Sequence, residues 1–201
     1  MVLALGKIVK SNAHTDYVCQ IYGAGETDPV PGPESYALGT FVSVDLRSAG
    51  HLVGLVYDTV LLNPDFGRLG PRLSPETELA VFSPDYLSER AVLAGVTVIG
   101  HVGADGTVTQ GVPLLAATGD ALVEHMDPAQ VRAFHRAPDG LNLSYLPLLV
   151  RGGNPLPLAQ HLAQAVLAQL SDLLPEHQAT LDVLADDLRW RSQIGPMGGV
   201  A

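Results

Sequence analysis

The residues with the widest chemical repertoire in this sequence are its seven histidines, and their spacing matches no known metal or catalytic motif. No pair occurs as HxH or HExxH, and none stands at ligand spacing from the single cysteine. Distant histidines and aspartates could still meet in the fold, which leaves a small metal-dependent hydrolase as one hypothesis. We favour a simpler interpretation, with His51 and His101 on strands and the others on helix surfaces or in loops. The histidines are His14, His51, His101, His125, His135, His161 and His177.

Other catalytic signatures are missing from the sequence. Residues 114–119 read LLAATG, which approaches a Walker A loop, but Asp120 follows and no GK[ST] occurs. There is no GxSxG, and GAGETD at residues 23–28 is not a dinucleotide-binding GxGxxG. Asp186 and Asp187 are adjacent, so on a helix they would diverge. The sequence therefore predicts no catalytic residues, no cofactor and no metal.

Composition limits the classes of partner. The net charge is −10 with only 11 Lys+Arg and no basic run, so direct binding of nucleic-acid phosphates is disfavoured. Hydrophobic residues at 47% against 16% charged residues predict a folded chain. We find no signal-peptide pattern and no membrane-length apolar run, so we expect a cytoplasmic protein. Cys19 lies mid-strand and is interpreted as a buried apolar side chain.

Apolar, β-branched runs separated by Gly, Pro, Ser, Asn and Asp predict a sheet at the start of the chain. We predict a hairpin between residues 92–102 and the run that follows Gly106. Many glycines and adjacent hairpins favour a small closed or nearly closed barrel, because closure removes exposed edges. The predicted strands are residues 2–10, with a turn at 11–13, then 14–22, 36–46, 50–60 and 92–102.

Helices are predicted from caps and from apolar spacing. Ser74 and Ser83, each followed by Pro, predict short helices at 75–81 and 84–90, and Asp127 with Pro128 opens another. Residues 113–126 fit no single pattern, and 145–150 are predicted to be extended. The last part predicts a helical hairpin: one helix from Asn154 and Pro155 with apolar positions every fourth residue, and one over about 175–191. Those apolar positions are Leu158, Leu162, Val166 and Leu170.

The predicted fold class is α+β, mainly β, with a barrel followed by a helical hairpin. We divide the chain into a barrel region with inserted short helices at residues 1–150, a two-helix appendix at 151–193 and a flexible tail at 194–201.

Two helical segments carry the combination of aromatic and arginine residues that is typical of interface hot spots. One surrounds the single tryptophan and the other follows Asp127. A tryptophan that closes a helix onto its own domain is the competing interpretation. The predicted partner interface consists of Leu181, Leu184, Leu188, Trp190, Arg132 and Phe134.

The segments GKIVKSNAHTDYVCQIY, YALGTFVSVDL and HLVGLVYDTVLLNP together resemble the HAS-barrel. This is the N-terminal β-barrel shared by the HerA family of DNA-translocating ATPases and the ATP-synthase catalytic subunits. The resemblance covers roughly residues 3–126, including the post-barrel segment VPLLAATGDALV. Its motifs are residues 6–9, residues 39–42, and a last element of Gly54, Val56, Asn63 and Pro64.

The resemblance implies a barrel used for ring assembly and for docking partners such as the NurA nuclease in DNA-end processing. The ATPase core that follows this barrel in HerA proteins has no counterpart here, so no catalytic residue can be carried over. We therefore predict a stand-alone, non-catalytic binding or assembly module, with self-association as a further expectation. A non-catalytic subunit of an ATPase ring is the alternative.

Overall fold

The structure is a computed structural model that describes residues 2–63, 91–138, 140–151 and 158–193. The strands are β1 (Ala4–Ala13), β2 (Asp16–Ile21), β3 (Phe41–Asp45), β4 (His51–Leu62), β5 (Ala91–Val102), β6 (Val108–Gln110), β7 (Leu122–His125), β8 (Arg136–Ala137) and β9 (Gly140–Leu141). The α-helices are α1 (Pro128–His135), α2 (Leu146–Arg151), α3 (Ala159–Leu173) and α4 (Gln178–Gln193). Short 3-10 helices span Pro33–Tyr36, Arg47–Ala49 and Pro175–His177.

Six antiparallel strands close into a barrel in the order β2-β1-β7-β3-β4-β5, and β5 pairs back to β2. Strand β6 lies outside the closed ring as the second arm of a hairpin with β5. The fold class predicted from the sequence, a barrel followed by helices, is confirmed. The strand that joins β1 to β3 is β7, which comes from the segment that the sequence pattern left unassigned.

The first hairpin is longer than the sequence pattern predicted. Residues 11–13 are not a turn, because β1 continues to Ala13 and pairs there with Asp16 of β2. The turn is formed by His14 and Thr15 instead. Two register shifts in this pairing let the strands bend, as a small barrel requires.

The prediction of an extended segment at residues 145–150 is wrong, because Leu146–Arg151 forms helix α2. Leu146 and Leu149, three residues apart, are both buried, so the helix turns its apolar side to the core. Helix α3 begins at Ala159, after Leu158 in a left-handed conformation, and Leu158 is exposed rather than part of the apolar stripe.

Several predictions lie outside the described residues. These are the short helices predicted at 75–81 and 84–90, the helix start at Asn154 and Pro155, and the flexible tail.

The barrel interior is filled by apolar side chains from all six strands of the ring. Tyr17, Cys19 and Ile21 alternate inward along β2. Val42 of β3 and Val96 of β5 are fully buried in the same cluster. The strand period of two therefore places every second residue in a packed interior.

A second apolar core lies between the outer wall of the barrel and the helices. It contains Phe41 from β3 and Leu55 from β4 together with side chains of all four helices. Leu162, Val166 and Leu170 of α3 are fully buried there, which confirms the predicted apolar stripe at those positions. The C-terminal helices therefore pack on their own barrel, while the domain boundaries stay a prediction.

Gly39 lies close against helix α3. Its φ is +86°, and a Cβ added there would lie 3.1 Å from Nε2 of Gln169 and 3.2 Å from Cβ of Ala165. The Gln169 side chain also donates a hydrogen bond of 3.1 Å to the Gly39 carbonyl oxygen. The backbone conformation favours glycine here, and an added Cβ would have to displace its α3 neighbours by a few tenths of an ångström.

We expect Gly39→Ala to lower the free energy of unfolding by about 1–3 kcal/mol more than Gly106→Ala does. The control is matched because Gly106 has φ +81° but nothing within 4 Å of an added Cβ. Urea denaturation of both variants measures the difference. Equal losses of unfolding free energy in the two variants would show that α3 does not pack tightly against Gly39.

Candidate partner-binding surface

The barrel interior offers no binding site among the described residues. The apolar cluster that fills it includes Cys19, whose pKa is raised to about 12 by burial, so the thiol stays protonated and unreactive at neutral pH. Tyr17 is also buried, and its hydroxyl accepts a hydrogen bond of 3.1 Å from the backbone N–H of Ala117. Among the described residues, the surfaces open to a partner are therefore the outside of the barrel and the helices.

The buried polar pair outside the barrel is His135 of α1 and Tyr145. The Nδ1 atom of His135 lies 2.7 Å from the Val131 carbonyl oxygen, which can only accept, so this nitrogen carries the proton. The Nε2 atom therefore accepts a hydrogen bond of 2.9 Å from the Tyr145 hydroxyl group. Burial lowers the pKa of His135 to about 4 and raises that of Tyr145 above its usual range. Both ring nitrogens are occupied, so this pair is structural.

The interpretation of the histidines outside His51 and His101 as helix-surface or loop residues is wrong for two of them. His135 is 1% exposed, and the rings of Phe41 and Phe134 pack edge-on against it. His125 is a residue of strand β7. No sequence motif marks His135, because its partners are a backbone carbonyl and a tyrosine ten residues away.

His51 and His101 lie on the paired strands β4 and β5, as predicted. The Nε2 atom of His101 is 2.8 Å from the Ala49 carbonyl oxygen, so it already has a partner. The pKa of His51 is lowered, first by burial and then by the nearby charge of His101. Across the described residues, no three His, Cys, Asp or Glu side chains converge as metal ligands.

The structure separates the six predicted interface residues into two groups. Leu181, Leu188 and Phe134 are buried in the core under the helices, and Leu184 packs against it partly buried. These residues hold the fold together and present no free surface. Trp190 and Arg132 are the exposed members.

Arg132 and Trp190 lie on different elements. The Nε–H of Arg132 on α1 donates a hydrogen bond of 3.0 Å to the Leu173 carbonyl oxygen at the end of α3. Trp190 lies near the end of α4 and is 63% exposed.

We define the outer α4 face by Val183, Asp186, Asp187 and Trp190. The spacing of three, four and seven residues places these side chains on one side of the helix, away from buried Leu181 and Leu188. Val183 is 68% exposed, so two large apolar side chains flank two acids. Asp186 forms a surface ion pair of 2.9 Å with Arg189.

Exposed apolar side chains also occur at several other places in the described residues, of which two stand out. Val60, Leu61 and Leu62 lie at the end of β4, where it pairs with the start of β5. Leu114 is 98% exposed in the loop that follows β6. These positions were not singled out from the sequence, because a single apolar residue in a loop or at a strand end carries no periodic signal.

A comparison with protein-family models matches residues 1–199 to a family described as a domain of unknown function, DUF8166. The chain belongs to this family. No curated protein matches the chain. The family match supplies no link to the HerA proteins. Within the described residues, no helix combines the length and the apolar composition that crossing a membrane requires.

The His135 pair gives the protein a pH-dependent stability. Because the folded-state pKa lies below the ordinary value of 6.5, the unfolded state binds the proton more readily, and stability falls as the pH falls below that value. We expect protonation linked to His135 to lower the free energy of unfolding by about 2 kcal/mol between about pH 8 and pH 5.

The measurement is urea denaturation at both pH values for the wild type and for the double variant His135→Leu with Tyr145→Phe. The double variant removes both side-chain polar groups together, so neither His135 nor Tyr145 is left as the unpaired half of a buried pair. Its pH dependence should be smaller than that of the wild type by the amount above. Identical pH dependence would contradict the assignment of a neutral buried His135.

Proposed function

We propose that this protein is a non-catalytic binding and assembly module that contacts its partner through the outer α4 face. The observation that carries the proposal is the exposure of Trp190 on the side of α4 opposite to its buried leucines. A large aromatic side chain left in water on a rigid helix is the residue type that most often dominates protein interfaces. The helix is anchored through Leu181 and Leu188, so the surface is preorganised.

The chemistry of this face defines its partner. Trp190 and Val183 require an apolar pocket on the partner. The net charge of −10 favours a partner surface of opposite sign and disfavours direct contact with nucleic-acid phosphates.

For the identity of the partner, we propose a HerA-type ATPase or a NurA-type nuclease in DNA repair or end processing. The support is the resemblance of the segments containing β1 to β4 to the HAS-barrel, together with the closed six-stranded barrel that those strands help to form. Such a partner would place the protein in the cytoplasm. A role as a non-catalytic subunit of the ATPase ring would use the same surface.

The test is isothermal titration of the full chain against a purified HerA-type ATPase and, separately, a NurA-type nuclease from the same organism. We expect one of them to bind, and we expect Trp190→Ala to weaken that binding at least about thirtyfold, the loss typical of a hot-spot residue. Leu114→Ala is the control, since it removes an apolar side chain that is even more exposed, from a different surface. It should leave the affinity unchanged.

The outcomes separate the two parts of the proposal. Binding that is lost in Leu114→Ala but kept in Trp190→Ala would reject the outer α4 face. Absence of binding to either protein would reject the partner assignment. Light scattering on the chain alone tests a second copy as the occupant, because self-association through this face should disappear in Trp190→Ala.

A stability measurement tests whether Trp190→Ala acts only at the surface. Trp190→Ala should leave the unfolding free energy within about 0.5 kcal/mol of the wild type. Leu188→Ala, two residues earlier on the buried side of α4, should lose about 2–5 kcal/mol. Thermal or urea denaturation of the two variants gives the comparison. A large loss in Trp190→Ala would mean that the tryptophan belongs to the core.

A further inference from the structure

A cleft of about 500 Å³ lies at the end of α1. Its walls come from the last turns of α1, from the β8–β9 hairpin and from the segment that joins α3 to α4. Neither Trp190 nor Val183 lines it, so it is distinct from the outer α4 face. A volume of this size is in the range of small-molecule sites.

Two guanidinium groups line one cleft in a strongly acidic protein. Arg132 and Arg136 are four residues apart, and the pairing of β8 with β9 holds Arg136 opposite Leu141. The Nε–H of Arg132 bonds to the Leu173 carbonyl oxygen, which fixes the plane of its guanidinium group and leaves the two Nη groups to bind other acceptors. Arg132 is therefore held in place before any ligand arrives.

The charge of the lining selects the class of anion. Glu176 and His177 complete the polar part of the wall. Among the described lining residues, the two arginines outnumber the single carboxylate, Glu176. This lining favours a ligand with one negative charge, because Glu176 would repel a phosphate dianion. The guanidinium fork also matches the planar geometry of a carboxylate.

The rest of the lining is apolar. Ala133 and Leu174 contribute aliphatic surface, and Leu141 lies across the cleft on β9. His135 also forms part of the wall, but both of its nitrogens are bonded within the protein, so it can contribute only packing. The cleft thus combines arginine side chains with aliphatic ones.

We propose that this cleft binds a small organic monocarboxylate, with Arg132 and Arg136 holding the carboxylate and the apolar wall covering the hydrocarbon part. Both oxygens accept hydrogen bonds from the guanidinium groups. Glu176 limits the site to ligands with a single negative charge and can accept a hydrogen bond from a hydroxyl or amino group of the ligand.

The test uses phenylacetate as the probe and follows the arginine side-chain N–H signals of the full chain by nuclear magnetic resonance. We expect the Nε signals of Arg132 and Arg136 to shift and saturate, with a dissociation constant of about 10 mM or below. Phenylacetamide has the same shape without the charge and should bind at least about tenfold more weakly. Inorganic phosphate should also bind more weakly than phenylacetate.

Matched variants assign the effect to this cleft. Arg136→Gln should weaken phenylacetate binding at least about tenfold, while Lys10→Gln, the same charge change on β1, should alter it less than about twofold. Glu176→Gln should tighten binding and admit phosphate. Arg136 and Glu176 are exposed, so both variants should fold, and circular dichroism checks this.

Three results would overturn the proposal. The first is no shift of the arginine signals with phenylacetate. The second is equal binding of phenylacetamide, which would show apolar contact alone. The third is equal affinity in Arg136→Gln and the wild type. Should Arg136→Gln fail to fold, unchanged phenylacetate affinity in Glu176→Gln would count against the site in the same way.

Discussion

The outer wall of the barrel is apolar, and the structure depends on the helices that cover it. Strands β3 and β4 turn Val42 and Val56 into the barrel while Phe41 and Leu55 point outward, so these strands are apolar on both faces. A barrel of this kind would expose a large hydrophobic area without α1 to α4. Gly39 contributes to the same packing, because it lets α3 lie close against the outer wall.

The burial of both faces of these strands explains which parts of the fold could be predicted from sequence. Long runs such as residues 92–102 have enough β-branched residues to mark a strand in any context, and the alternation of Tyr17, Cys19 and Ile21 gives the inward face directly. Strand β7 has four residues and no turn of its own, so only its pairing with β1 and β3 defines it. Helix α2 has six residues, too few for a helical period to be distinguished from an extended run.

The candidate sites likewise divide into features that the sequence predicts and features that only tertiary packing defines. Leu181, Leu184 and Leu188 share one side of a helix, but sequence alone does not say whether that side meets its own barrel or a partner. Trp190 could be separated from them only by its orientation in the structure. The cleft beside α1 has no sequence signature, because it is assembled from segments about forty residues apart that tertiary packing brings together.

The pairing of β4 with β5 continues beyond the closed ring as far as Leu62 opposite Ala91. The chain therefore leaves the barrel and returns to it at two points held side by side by strand hydrogen bonds. For a segment joined in this way, the entropy of closing the connection rises only with the logarithm of its length. Strand pairing therefore fixes where the chain leaves and re-enters the barrel, and the closure entropy of the connection depends only weakly on how many residues it contains.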